Sequence, residues 1–296
     1  MAETTLRRRP ILPQYALPKC GLISPLEFDA FEHLDPDWRG LVKLWEPPQP
    51  KARYVMGIDP AGGIVNWSRH RRVNDDLEHD NSAIEVIKCG NGRDIADIQV
   101  AEFAAPMMAQ DIVEVATLLG RLYCGNSDVG EALCIIETWP GPGMLTHQDM
   151  VARHGYVNMW RWEYLDTLIP TVANTFGWKS NMKTLDYLWN KFSRHVGKGL
   201  LKVRSGELFS ELSNLQTDPK KTFPQPCTGQ VHDDRVRAIA TAVWAAHDWV
   251  LGDEGIPERQ KVNDPAYELN PQACDMTVEG YDDWAERKYQ EIIGNG

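Results

Sequence analysis

From Tyr54 onward the chain alternates short apolar runs with stretches of helical periodicity. "YVMGID" (54–59) reads as a buried strand that ends in an acid. "SAIEVIKCG" and "IADIQVAEFAA" follow as two strands parted by the turn residues "GNGRD". "AQDIVEVATLLGRLYC" carries Ile112, Val115, Ala116, Leu119 and Leu122 at helical spacing and predicts a helix. "ALCIIE" is nearly continuous in apolar residues, as a central strand covered on both faces should be. A loop, "TWPGPG", leads to a helix over about 145–154, and "YVNMWRWEY" reads as a further strand. "MKTLDYLWNKFSRHVG" predicts a helix, "LLKVRS" a strand and "GELFSELSNLQ" a helix. "DPKKTFPQPCTGQ" is a loop or hairpin, and the apolar run from Asp233 toward Val250 is a long helix.

Strands and helices interleave without internal repeats, so the expected fold class is α/β, a mixed sheet with helices against it. Three segments follow from the same pattern. Residues 1–50 are proline-rich and weakly periodic, an N-terminal extension or linker ending in "LWEPPQPKAR". Residues 51–251 form the main domain. Residues 252–296 form an acidic tail with one helix expected over about 281–293, and the polar stretch 65–80 reads as an exposed excursion between strands.

Acids stand at informative places in this pattern. Asp59 ends the first strand, Glu137 ends "ALCIIE", and Asp233 with Asp234 opens the late helix. An acid at a helix start caps orphan N–H groups and suits the positive end of the dipole, but one is enough for that. A carboxylate at a strand end can simply be solvated. Carboxylates on adjacent strand ends, however, repel unless a cation lies between them. With oxygen donors alone, the fitting occupant is a hard cation such as Mg²⁺. Metals about 3.5–4 Å apart can activate water and stabilise a leaving oxygen in phosphodiester cleavage. At 100° per residue Asp233 falls on the face of Val236, Ala240 and Trp244, the expected buried stripe, and Asp234 points further round. Either can take the metal.

The formal net charge of −11 over 296 residues argues at first against nucleic acid. The charge is uneven, though. Residues 252–296 hold eleven acids against four bases, whereas between Lys179 and Arg204 seven bases face only Asp186. That basic run is either a solvated face or a surface for phosphates. The six cysteines are scattered without a metal-ligand spacing, and no apolar run reaches the length of a transmembrane helix. The N-terminus lacks a secretory h-region, so a soluble, intracellular protein is expected.

"YVMGIDPAGG", "DNSAIEVI", "IIET", "GWKSNMKT" and "HDDRVRAIATAVW", in this order, resemble the C-terminal nuclease domain of the large terminase subunit of tailed bacteriophages. The resemblance spans about residues 44–250. It implies a ribonuclease-H-like mixed central sheet flanked by helices. It also implies a Mg²⁺- or Mn²⁺-dependent endonuclease, with two ions, that cuts concatemeric viral DNA during genome packaging. Carried over, the metal-binding and catalytic acids fall on Asp59, Glu137, Asp233 and Asp234, with Asp80 as a further supporting acid. The implied partners are double-stranded DNA, a terminase ATPase portion or subunit, the small terminase subunit and the portal, in the host cytoplasm and with no membrane. Lys179 and Lys183, then Arg194 and Lys198, become candidate contacts to DNA phosphates.

The sequence departs from that family in three ways. Trp139 stands where the family often has an asparagine, and the segment between Asp59 and Asp80 is longer than expected. No GxxxxGK[ST] phosphate loop occurs, so the chain is not expected to hydrolyse ATP by itself. Two alternatives share the acid series or do without it. One is a resolvase- or transposase-type ribonuclease-H-like nuclease, which should prefer branched DNA. The other is a non-catalytic module docking on a portal or motor, which should bind no divalent metal.

Overall fold

The computed structural model describes residues 12–15, 21–61, 81–139, 142–161, 176–216, 225–226 and 233–247. Ten strands and six helices are seen there. The strands are β1 (Gln14–Tyr15), β2 (Lys43–Leu44), β3 (Tyr54–Asp59), β4 (Ser82–Lys88), β5 (Asp97–Ala105), β6 (Leu133–Trp139), β7 (Trp178–Lys179), β8 (Leu201–Val203), β9 (Leu215–Gln216) and β10 (Gln225–Pro226). The helices are α1 (Pro36–Leu41), α2 (Ile112–Leu122), α3 (Gly143–His154), α4 (Met182–Gly197), α5 (Gly206–Asn214) and α6 (Asp234–His247). None of the described helices is long and apolar enough to cross a membrane.

One mixed sheet organises the domain, in the order β1-β8-β5-β4-β3-β6-β7, with β2 added alongside β5. β3 runs parallel to β6 and antiparallel to β4, and β4 runs antiparallel to β5. This antiparallel strand within an otherwise largely parallel sheet, with helices on both faces, is the ribonuclease-H-like arrangement the sequence resemblance implies. β9 and β10 form a separate small ribbon.

Strand alternation divides the side chains between two layers. Tyr54, Met56 and Ile58 of β3, Ile84 and Val86 of β4, and Cys134 and Ile136 of β6 pack into one core with α2 and α3. Phe31, Leu34, Val42 and Leu44 join the same core. The described part of the N-terminal extension, residues 21–50, thus packs on this domain. These four apolar side chains are buried in it, and β2 extends its sheet.

The other face is covered by α6, which is buried nearly all round. Gly57, in the middle of β3, makes this close approach feasible. A Cβ there would stand 1.9 Å from the Ala238 carbonyl oxygen. With Ala238 and Ala242 facing the strand, the helix backbone lies almost directly on the sheet. α6 also tops a buried polar layer. Gln99 donates to Glu85 at 2.7 Å, and Arg235 pairs with Glu211 at 2.6 Å and with Glu102 at 3.5 Å.

The strand expected over 156–164 is not formed in its described part. Residues 158–160 pair with β6 as an isolated bridge at Cys134, and β7 takes over that edge of β6 at Glu137. The expected excursion 65–80 and the helix over 281–293 lie outside the described residues.

Candidate metal centre

Each acid owes its place to a simple feature of the chain. In the register of β3 and β6, Val55 pairs with Leu133 and Gly57 with Ile135. Period-2 alternation then puts Asp59 and Glu137 on the face that α6 covers, at the same end of neighbouring parallel strands. Beyond Glu137 the chain turns tightly into α3. A Cβ on Gly143 would meet the Glu137 carbonyl oxygen at 1.8 Å, so only glycine fits that first helical residue. The close approach of α6 to Gly57 brings its N-terminus over the same strand ends, carrying Asp233 and Asp234.

Asp59 and Glu137 lie close enough to the other acids to be perturbed by them. Burial, and then the charge of Glu137, pushes Asp59 well above the ordinary carboxylate range, and Asp234 and Asp233 push the same way. Burial also raises Glu137, with Asp233 adding to the shift. Against this stands Arg237. Its guanidinium donates to Glu137 at 3.2 Å and pairs with Asp233 at 3.2 Å, one turn back along α6. The acids in turn raise Arg237, so it stays charged. Four carboxylates around one guanidinium leave a surplus of negative charge in a partly dry setting, and every donor oxygen is hard. That set fits a hard divalent cation. Among the described residues no three of these acids bring their oxygens all within 4.8 Å of one another.

The two aspartates divide their tasks in an unexpected way. Asp233 precedes α6, accepts the Arg237 N–H on its backbone carbonyl at 2.9 Å, and is only partly buried. Asp234 is the buried one, and its Oδ2 accepts the Asn81 backbone N–H at 3.3 Å. Asp234 is thus the more buried of the two, although Asp233 is the one the sequence places on the face of Val236, Ala240 and Trp244. α6 is buried on nearly every side, so it has no stripe from which to phase its first turn. The Asn81 bond ties the start of β4 to the helix N-terminus. Ser82 completes the tie by accepting from the Ala61 N–H at 2.9 Å, two residues beyond Asp59. Asp80 lies outside the described residues.

The residues of the basic run are spread over the fold. Lys179 lies in β7, in register with Trp139, two residues beyond Glu137. Lys183 lies in the first turn of α4. Arg194 and Lys198 are exposed near the other end of that helix, roughly 18 Å away at 1.5 Å per residue. Arg204, at the end of the run, is buried and paired with Glu46. Trp178 is fully buried against Trp244, with ring centroids 5.1 Å apart, and forms the wall behind Glu137. Sequence reasoning missed Arg237, although its spacing of four from Asp233 is the signal of a helical ion pair.

No protein-family profile matches the chain, and no curated protein does. Among solved structures it is similar to the large terminase nuclease domain of Thermus phage P74-26, at 16% identity and a TM-score of 0.47, covering 84% of this chain and 95% of that one. It is also similar to the large terminase nuclease of thermophilic phage G20c, at 18% identity and a TM-score of 0.43, covering 69% and 87%. That nuclease has been crystallised with magnesium, cobalt or zinc bound. A third similar structure is the large terminase of another thermophilic bacteriophage, at 13% identity and a TM-score of 0.39, where the match covers 73% of this chain and 43% of that one. All three are large terminases, the proteins whose nuclease domain the sequence motifs resemble.

Proposed function

We propose that this chain is a divalent-metal-dependent endonuclease for double-stranded DNA, of the kind that cuts concatemeric viral DNA during genome packaging. The observation that carries the proposal is the surplus of carboxylate at one edge of the sheet. Besides burial, the charge of Glu137, Asp234 and Asp233 raises Asp59, and that of Asp233 raises Glu137, while Arg237 bridges Glu137 and Asp233. Folding has gathered acidic groups there at a cost that Arg237 offsets in part and a cationic ligand would offset further.

Asp59 and Glu137 would hold Mg²⁺ or Mn²⁺ from rigid strand ends, and Asp233 and Asp234 would close the site from the helix; four carboxylates suit two ions. Bound there, such ions lower the pKa of a coordinated water and stabilise the leaving oxygen. Arg237 would orient Glu137 and Asp233 before loading. Asp80 would support the site. Lys179 and Lys183 would position the backbone beside the acids. Arg194 and Lys198 would contact phosphates only on a duplex running along α4, about five base pairs further on. The ATPase portion or subunit, the small terminase subunit and the portal are the partners this function implies, in the host cytoplasm.

The test is nicking and linearisation of supercoiled plasmid with Mg²⁺, Mn²⁺, Ca²⁺ or EDTA. Cleavage with Mg²⁺ or Mn²⁺ that Asp59→Ala and Glu137→Ala both abolish, with circular dichroism unchanged, is the expected result. Cleavage that survives both substitutions, or none by any form, would overturn the proposal.

A further inference from the structure

At the far end of α6 from the four acids lies a second convergence of ligating side chains. Asp97 opens β5, at the sheet edge level with Tyr54 rather than Asp59. His195 is in the last turn of α4, and His247 is the final residue of α6. Their relative exposures are 0%, 3% and 7%. The Nε2 atoms of both histidines lie 2.8 Å from the same Asp97 oxygen, Oδ2. Oδ1 accepts the Gly90 N–H at 2.7 Å. All three ligand atoms lie within 4.8 Å of one another, a grouping no other three metal-ligating side chains reach among the described residues. The 14 residues of α6 separate this cluster from Asp234 by about 20 Å.

We propose that Asp97, His195 and His247 form a second metal site, for a zinc-type transition ion, which locks the start of β5 to the C-terminal ends of α4 and α6. Donor chemistry argues for this class. Two imidazoles and one carboxylate suit zinc, whereas the oxygen-only acids at the other end suit magnesium. Geometry agrees. Bonds of about 2.0–2.2 Å in a tetrahedron set ligand atoms roughly 3.3 Å apart, so the present 2.8 Å contacts need open by only about half an ångström.

The electrostatic setting favours a cation as well. Two helices end here, and each presents the negative end of its dipole. Arg53, already in place, donates to the Ala246 carbonyl at 2.6 Å, which shows the same demand for positive charge. The Gly90 N–H holds Oδ1 from outside, the kind of second-layer bond that orients a metal carboxylate and leaves Oδ2 for the ion. On loading, each ring turns its Nε2 lone pair to the ion and carries its remaining proton on Nδ1. The open fourth position goes to water.

The test uses the full chain carrying Asp59→Asn and Glu137→Gln, so that the acid end is weakened as a competitor. After EDTA treatment it is titrated with Co²⁺ and then Zn²⁺. One equivalent of Co²⁺ with the visible spectrum of a tetrahedral ion, displaced by Zn²⁺, is expected. Tm should rise by roughly 5–10 °C at a hundredfold excess over Kd. Adding His195→Gln or His247→Gln should abolish both the bound equivalent and the Tm increment. His247→Cys should keep binding and add a thiolate charge-transfer band. If a glutamine variant fails to fold, X-ray absorption of the zinc-loaded parent decides, because imidazole scattering at about 2.0–2.1 Å is required. No stoichiometric binding, binding untouched by the histidine substitutions, or a shell without imidazole would overturn the proposal and leave a hydrogen-bonded clasp.

Discussion

The two ends of α6 solve opposite electrostatic problems. At its N-terminus four carboxylates crowd one guanidinium, and burial plus mutual repulsion raises Asp59 and Glu137. At its C-terminus the partners are complementary. Bonds from His195 and His247 outweigh the burial of Asp97 and hold its carboxyl down at about 2. One end is left tense in the folded chain, and the other is satisfied by the chain itself. A ligand is needed to relax the first, whereas at the second it would only tighten what already holds. Catalytic groups are drawn from the first kind of environment.

The largest effect should come from breaking the tense end. Asp59→Asn or Glu137→Gln should lower plasmid cleavage about a thousandfold, the scale of losing about 4 kcal/mol of transition-state stabilisation. Without metal, Tm should stay level or rise, because a repelling charge is gone. A clear fall in Tm on either substitution would show that these acids hold the fold together and would erase the contrast.

The satisfied end should behave in reverse. Asp97→Asn should leave metal-dependent cleavage within about twofold while costing roughly 1.5–3 kcal/mol of stability, the worth of charge-assisted bonds. Asp97 is held below its unfolded value, so its contribution is present above about pH 4. It is lost as the pH falls through about 2. Denaturation of wild type and Asp97→Asn should therefore differ at pH 7 and converge in acid.

Gly57→Ala probes the span between the two ends. The new methyl would meet the Ala238 carbonyl oxygen, so α6 must lift off β3. The expected cost is about 1–3 kcal/mol, read as a fall in urea midpoint. Cleavage should fall with it, since Asp233 and Asp234 move away from Asp59. Unchanged stability would mean that the close approach does not set the height of the helix.

Much of this was legible in the sequence because it is local. α4 spans the very stretch, 182–197, whose apolar spacing predicts it, and both strand-end acids follow from strands that read as buried runs. What was not legible is long-range. Asp97 meets His195 and His247 across 98 and 150 residues, and nothing near any of the three announces the others. Residues 21–50 read as a linker because proline hides their periodicity, yet Phe31 and Leu34 are core. The tilt of Asp233 and Asp234 is decided by a helix buried all round, where hydrophobic phase carries no information.

The smallest effect sharpens the contrast from a third place. Glu211 of α5 shares the tension of the acid end, since burial raises it to about 7, yet its partner is Arg235 at 2.6 Å. Its folded value lies above its unfolded one, so protonation stabilises the fold. That contribution is full below about pH 4.5 and is lost as the pH rises through about 7. That value already includes the offset from Arg235, and the stability should fall steadily between pH 5 and 7.5. Glu211→Gln should remove that slope without touching cleavage, and added Mg²⁺ should leave it in place. If Mg²⁺ flattened it as well, Glu211 would belong to the metal-responsive end, and the tension around α6 would be one system rather than two.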